Sequence, residues 1–193
     1  KPFLVLKDHE KGGKTNLRFS SGDSITLEAW VKVKALGNGH QQYLIGKGRN
    51  LQLGEALGDT NQNFAMRLKG TGDGGQLGFL FSSTDPARNG ARNWHRWWSE
   101  DLVGLHGWHH VAIVYTFGKG DSLRAYIDGK ETEGTWDMGG ATDLPPVTDT
   151  SDLVIGTGYS RGAGQSFSGW MDNLAIYRSA VPAEILNITS TFG

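Results

Sequence analysis

The sequence predicts an all-β fold, a two-sheet antiparallel β-sandwich with one short C-terminal helix. Three observations carry this. Apolar and polar residues alternate with a period of two through most of the chain, which is the pattern of half-buried strands. Glycine supplies 29 of 193 residues and proline only 5. Glycine is thus at about twice its usual share, as many tight turns between short strands require. Helical character is confined to one stretch near the C-terminus.

The alternation places the elements in order. In SITLEAWVKVK, Ile25, Leu27, Ala29, Val31 and Val33 share one face, and Thr26, Glu28, Trp30, Lys32 and Lys34 share the other. NFAMRLKG turns Phe64, Met66 and Leu68 inward and Arg67 outward, and GQLGFLFSS adds Leu77, Phe79 and Phe81. WHHVAIVYTF places Val111, Ile113, Tyr115 and Phe117 together. SLRAYIDGKE turns Leu123, Ala125 and Ile127 inward, then reverses at Asp128-Gly129. That dipeptide suits a type I′ hairpin, whose two central positions need positive φ. SDLVIGTG and SGWMDNLAIYRS supply two late strands. VPAEILNIT is the helix, with Pro182 tolerated in its first turn and Glu184 favourable at its positive end. Ser82 to Gly107 and Glu133 to Thr150 exceed a tight turn and are read as long loops, which in compact domains often carry function.

The length suits one domain over residues 1–193 with a substantial core. The abrupt start at Lys1-Pro2 resembles that of an excised fragment, so a larger parent protein is expected. Nineteen basic and 20 acidic residues give a net charge of −1. That leaves no basic footprint for nucleic acid or an anionic membrane. No apolar run approaches the roughly 20 residues of a membrane span. The absence of cysteine excludes disulfides and thiolate metal sites. HGWHH lacks the helical spacing of a zinc-binding histidine pair.

The chemistry concentrates in NWHRWWSE, where Trp94, Trp97 and Trp98 stand with His95 and Arg96, shortly after Arg88 and Arg92. Aromatic rings stack on the C–H faces of sugars, and Arg, Asp, Asn and His bond the hydroxyls. In an extended segment Trp94, Arg96 and Trp98 share one face and His95 and Trp97 the other. Either all three rings cover the end of the sandwich, or one set stacks on a ligand through Trp94 or Trp98. Trp136, followed by Asp137, either stacks on the ligand or pins its loop to the sheet. Tyr159 and Arg161, in GTGYSRGAG, would edge the same surface. The arginines favour an acidic or sulfated glycan, because guanidinium pairs well with carboxylate and sulfate. A glycosidase needs two placed carboxyl groups about 5–10 Å apart. Glu131 and Glu133 read as solvated, and Asp137, Asp143, Asp149 and Asp152 show no pair spacing.

SITLEAWVKVK, GWHHVAIVYTF, LRAYIDGKE and FSGWMDNLAIYRSAVPAEI, in this order, resemble the laminin-G-like, concanavalin A-like jelly rolls, from about Leu17 to Ile185. WDMGGATDLPP resembles the version found in large envelope-associated proteins of planctomycete-type bacteria. The resemblance implies one concave and one convex sheet. It also implies binding of glycans or other extracellular ligands, often with a structural calcium ion. Asp172 matches the last-strand carboxylate of a frequent calcium site in that superfamily, with partners near Asp23, or it is a hydrogen-bonded strand end. Trp30, Trp108 and Trp170 fall in the shared pattern as scaffold. Retaining glucanases of this fold carry a strand motif E-x-D-x-x-E, which this chain lacks.

The expected function is a non-catalytic carbohydrate-binding module. It would be monomeric when isolated and would hold a secreted parent protein, with its other domains, on polysaccharide or oligosaccharide outside the cell or in the periplasm. The alternative is a protein-interaction or spacer module, with every tryptophan buried beneath a flat polar surface.

Overall fold

A computed structural model describes residues 3–8, 16–49, 61–158 and 165–192. The strands are β1 (Leu4–Leu6), β2 (Ser24–Val33), β3 (Gln41–Gly48), β4 (Gln62–Gly70), β5 (Gly75–Asp85) and β6 (Ala91–Val103). They continue as β7 (Trp108–Thr116), β8 (Arg124–Ile127), β9 (Lys130–Thr132), β10 (Gly134–Met138), β11 (Leu153–Ile155) and β12 (Gly169–Tyr177), before helix α1 (Ala183–Phe192). One sheet has seven strands in the order β1-β11-β3-β4-β5-β6-β10, and the other has five in the order β12-β2-β7-β8-β9. Every ladder between these strands is antiparallel. The fold class is the one the alternation predicts.

The period of two builds the core. Ile25, Leu27, Ala29, Val31 and Val33 join Val111, Ile113, Tyr115 and Phe117 on the inner face of the five-stranded sheet. Phe64, Met66, Leu68, Leu77, Phe79 and Phe81 face them from the seven-stranded sheet, and all fifteen side chains are fully buried. Each such burial contributes about 1.5–3 kcal/mol before entropy is set against it. Helix α1 covers part of the opposite face of the five-stranded sheet, where Leu186 packs with Ala112, Val114 and Tyr126. The Asp128-Gly129 turn has φ of 52° and 75°, as its sequence predicts.

Two expectations are corrected. Of the segments read as long loops, Ser82 to Gly107 is largely strand, whereas in Glu133 to Thr150 only Gly134–Met138 is strand and the rest is irregular. β6 pairs with β5 from Gly75↔Val103 to Asp85↔Ala91, and β10 pairs with β6. The signal was hidden because β6 places Trp and Arg on its outer face and His95 on its inner face. Hydropathy therefore does not alternate there, although the backbone does. β3 was not assigned from the sequence either. Its Lys47 is fully buried and held by the Asp8 carboxylate at 3.0 Å and the carbonyls of Asp149 and Ser151. Among the described residues, no helix is long and apolar enough to cross a membrane.

Candidate functional site on the outer face of the seven-stranded sheet

The expected division of NWHRWWSE holds. His95 and Trp97 are buried and point inward, while Trp94, Arg96 and Trp98 lie on the outer sheet face, where Trp94 is half-buried and Trp98 is buried beneath Arg67, Lys69 and Arg96 rather than open for stacking. The register then aligns Tyr43, Arg67, Gly78 and Trp98 in one row across β3, β4, β5 and β6. Gly78 is the gap in that row. A Cβ there would lie 2.2 Å from the Trp98 ring, so only glycine lets the indole lie across β5. The ring thereby reaches Arg67, whose guanidinium carbon is 5.0 Å from the Trp98 ring centre and 5.2 Å from that of Tyr43. Cation–π attraction acts from both rings.

Arg67 is only 4% exposed. Its Nη1 donates to Gln41 Oε1 at 2.8 Å, while Nε and Nη2 have no hydrogen-bond partner. Burial pulls its pKa below the ordinary arginine value; Tyr43 opposes this, and nearby Arg96 and Arg49 add to it. Arg96, in the neighbouring row, is neutralised. Its Nε and Nη2 donate to the two carboxylate oxygens of Asp137 at 2.7 and 2.9 Å, and Trp98 Nε1 donates to the same group at 3.2 Å. Partial burial raises the Asp137 pKa, but the Arg96 bonds and charge outweigh it and hold the carboxyl below its ordinary range.

Trp94 is half-buried against Tyr43, Ala65 and Leu80. The Arg49 guanidinium stands 4.6 Å from its ring centre, and Lys69 stands 5.4 Å from that of Trp98. Gln41, Tyr43, Arg49, Arg67, Trp94 and Arg96 line a pocket of about 270 Å³. The sheet thus brings Trp94, Arg96, Trp98 and Asp137 together, and adds Tyr43, Gln41, Arg49 and Arg67, which the sequence reading missed. Arg67 gave a partial signal as an outward cation between Met66 and Leu68, but its neighbours are set by register, which local pattern does not reveal.

The other candidate positions divide differently. His95 is a structural pin. Its Nδ1 donates to the Gly140 carbonyl at 2.8 Å, which leaves Nε2 to accept from the Ser83 hydroxyl at 2.8 Å. Its ring stacks on Phe81 at 4.9 Å, and burial holds its pKa below the ordinary histidine value. Trp97 belongs to the core. Trp136 meets Phe81, His95 and Tyr115 edge-on and fastens β10 to the core, which is the pinning alternative. Arg92 is exposed opposite Thr84, and Arg88 is exposed in the turn between β5 and β6, 3.6 Å from Asp85. Tyr159 and Arg161 lie outside the described residues.

The candidate calcium ligands do not meet. Asp172 is exposed and registers with Trp30, while Asp23 precedes β2 and pairs with Arg178 at 3.1 Å. Seven residues of strand separate the two levels, roughly 20 Å, so they do not fit one ion. Asp172 was expected partly buried; a register shift beside it turns it to the surface. Trp108 and Trp170, read as scaffold, are 45% and 53% exposed. They flank Lys32 in one row on the outer face of the five-stranded sheet.

Fold and site together define a lectin-like β-sandwich. The chain belongs to the concanavalin A-like lectin/glucanases superfamily, whose Laminin_G_3 family model matches residues 11–186. No curated protein sequence matches the chain. Among solved structures, it is similar to a native heptameric SAP-like pentraxin from Limulus polyphemus, with 16% identity and a TM-score of 0.56 over 92% of this chain and 78% of that one. It is similar to the binding domain of botulinum neurotoxin serotype D, with 14% identity and a TM-score of 0.61 over 98% of this chain and 40% of that one. It is also similar to a Trypanosoma rangeli sialidase in complex with 2,3-difluorosialic acid, with 17% identity and a TM-score of 0.53. That match covers 86% of this chain and 23% of the sialidase, so the chain corresponds to a minor part of that enzyme. At these identities the likeness is one of fold.

Proposed function

We propose that the domain is a non-catalytic glycan-binding module whose ligand sits on the outer face of the seven-stranded sheet. The pocket bordered by Tyr43, Trp94, Gln41 and Arg96 carries this reading. The part-exposed Trp94 ring offers apolar surface to a sugar, with the buried Tyr43 ring behind it, and the amide and guanidinium groups offer hydrogen bonds to its hydroxyls. The pocket lining contains no carboxylate, whereas glycoside hydrolysis requires two placed acids. Asp137, paired with the lining residue Arg96, already accepts from Arg96 and Trp98. The resemblance to toxin binding domains agrees with a role in attachment, which would hold a parent protein on polysaccharide.

Affinity electrophoresis on a polysaccharide panel tests this. Wild type is retarded by at least one polymer, and Trp94→Ala lowers its affinity about tenfold with the fold intact. Hydrolysis of any retarding polymer would refute the non-catalytic reading.

A second reading has its own observation. The spacer alternative expected every tryptophan buried, yet Trp108 and Trp170 are exposed beside Lys32. They favour a contact surface on the five-stranded sheet. Retention lost in a Trp108→Ser, Trp170→Ser double variant but kept in Trp94→Ala would move the binding site to that sheet.

A further inference from the structure

The outer face holds two guanidinium groups in contrasting situations. Arg96 has its Nε–Nη2 edge filled by both oxygens of Asp137. Arg67 has the same edge unused, with Nε and Nη2 both buried and without a hydrogen-bond partner. Gln41 supplies a neutral acceptor, the Tyr43 side chain also favours the charged form, and no carboxylate pairs with Arg67 among the described residues. Stability alone would be better served here by an apolar side chain, since a buried charge without a counter-ion is unfavourable. The side chain is nevertheless held in place, with Tyr43 and Trp98 at 5.2 and 5.0 Å.

We propose that this pocket is a subsite for one oxyanion on the glycan, a sulfate ester or a uronate carboxylate. This rests on the glycan-binding reading and specifies its substrate class. Both groups present two oxygens at the spacing that the Nε–Nη2 edge accepts, the geometry Asp137 already shows on Arg96. The rings orient the guanidinium before a ligand arrives. Its burial shields the contact from water and strengthens it. Because the edge lies below the surface, the oxyanion enters by displacing side chains at the rim, where Arg49 rests on Trp94.

Calorimetric titration of the domain at fixed ionic strength tests the subsite with polymer pairs that differ only in charge. One pair is polygalacturonate and its methyl ester; the other is dextran sulfate and dextran. At least one acidic polymer binds tenfold or more tighter than its neutral twin, and the arm that responds identifies the oxyanion. Arg67→Met lowers affinity for that polymer about 10- to 100-fold, the value of a charge-assisted pair, while Tm stays level or rises. Arg67→Lys keeps the charge, loses the two-nitrogen edge and also loses most of the preference. Lys34→Met, which removes an exposed charge elsewhere, leaves it unchanged. An acid preference that survives in Arg67→Met overturns the subsite, as does a variant that unfolds while Arg67→Lys keeps full affinity. Equal binding of charged and neutral twins rejects the subsite but leaves the glycan-binding reading standing. No binding to any polymer rejects both.

Discussion

Asp137 holds the balance of charge on the candidate face, since Arg49, Arg67, Lys69 and Arg96 lie against the Trp94 and Trp98 rings and Asp137 accepts from Trp98. Its carboxyl is held below the ordinary range. The pairing therefore adds stability that is fully present above the unfolded pKa of about 3.9 and is lost as pH falls through the lower folded value. Asp137→Asn should lower Tm at pH 7, and the difference from wild type should shrink as pH falls below about 3.9. Thermal melts at pH 7 and below that value check this, and an equal difference at both would separate the effect from charge. Arg67 is expected to behave oppositely, with its removal costing affinity rather than stability.

At the scale of the element, the site depends on how β6 crosses β5. Strands such as β2 were legible because their inner residues are all aliphatic and their outer residues mostly polar. β6 was not legible, because Trp94 and Trp98 face outward, His95 and Trp97 face inward, and both faces mix rings with polar groups. The split of NWHRWWSE between two faces was still correct, because it follows from backbone geometry once the segment is extended. Gly78 had no readable signal. Its role comes from lying opposite Trp98, a matter of register. Gly78→Ala would force the indole aside and should destabilise the domain by about 1–3 kcal/mol. It should also shift Trp98 fluorescence and reduce binding, as denaturant titration and calorimetry would show. An unchanged Trp98 environment would mean that the row does not depend on that gap.

At the scale of the whole molecule, the sandwich presents two different outer faces. The seven-stranded sheet carries the guanidinium pocket with Trp94, and the five-stranded sheet carries α1 at one end and the exposed Trp108, Lys32 and Trp170 row at the other. The fold class, the main strand faces and the hairpin at Asp128-Gly129 were readable from period and turn chemistry. Which tryptophans are exposed was not, because exposure depends on which element covers which sheet. The most direct measurement is a titration of the 15N-labelled domain with the polymer that retards it, following the indole N–H signals of the seven tryptophans. Shifts centred on Trp94 and Trp98, with Trp108 and Trp170 unmoved, are the result predicted here. Shifts confined to Trp108 and Trp170 would contradict it and place the ligand on the other sheet.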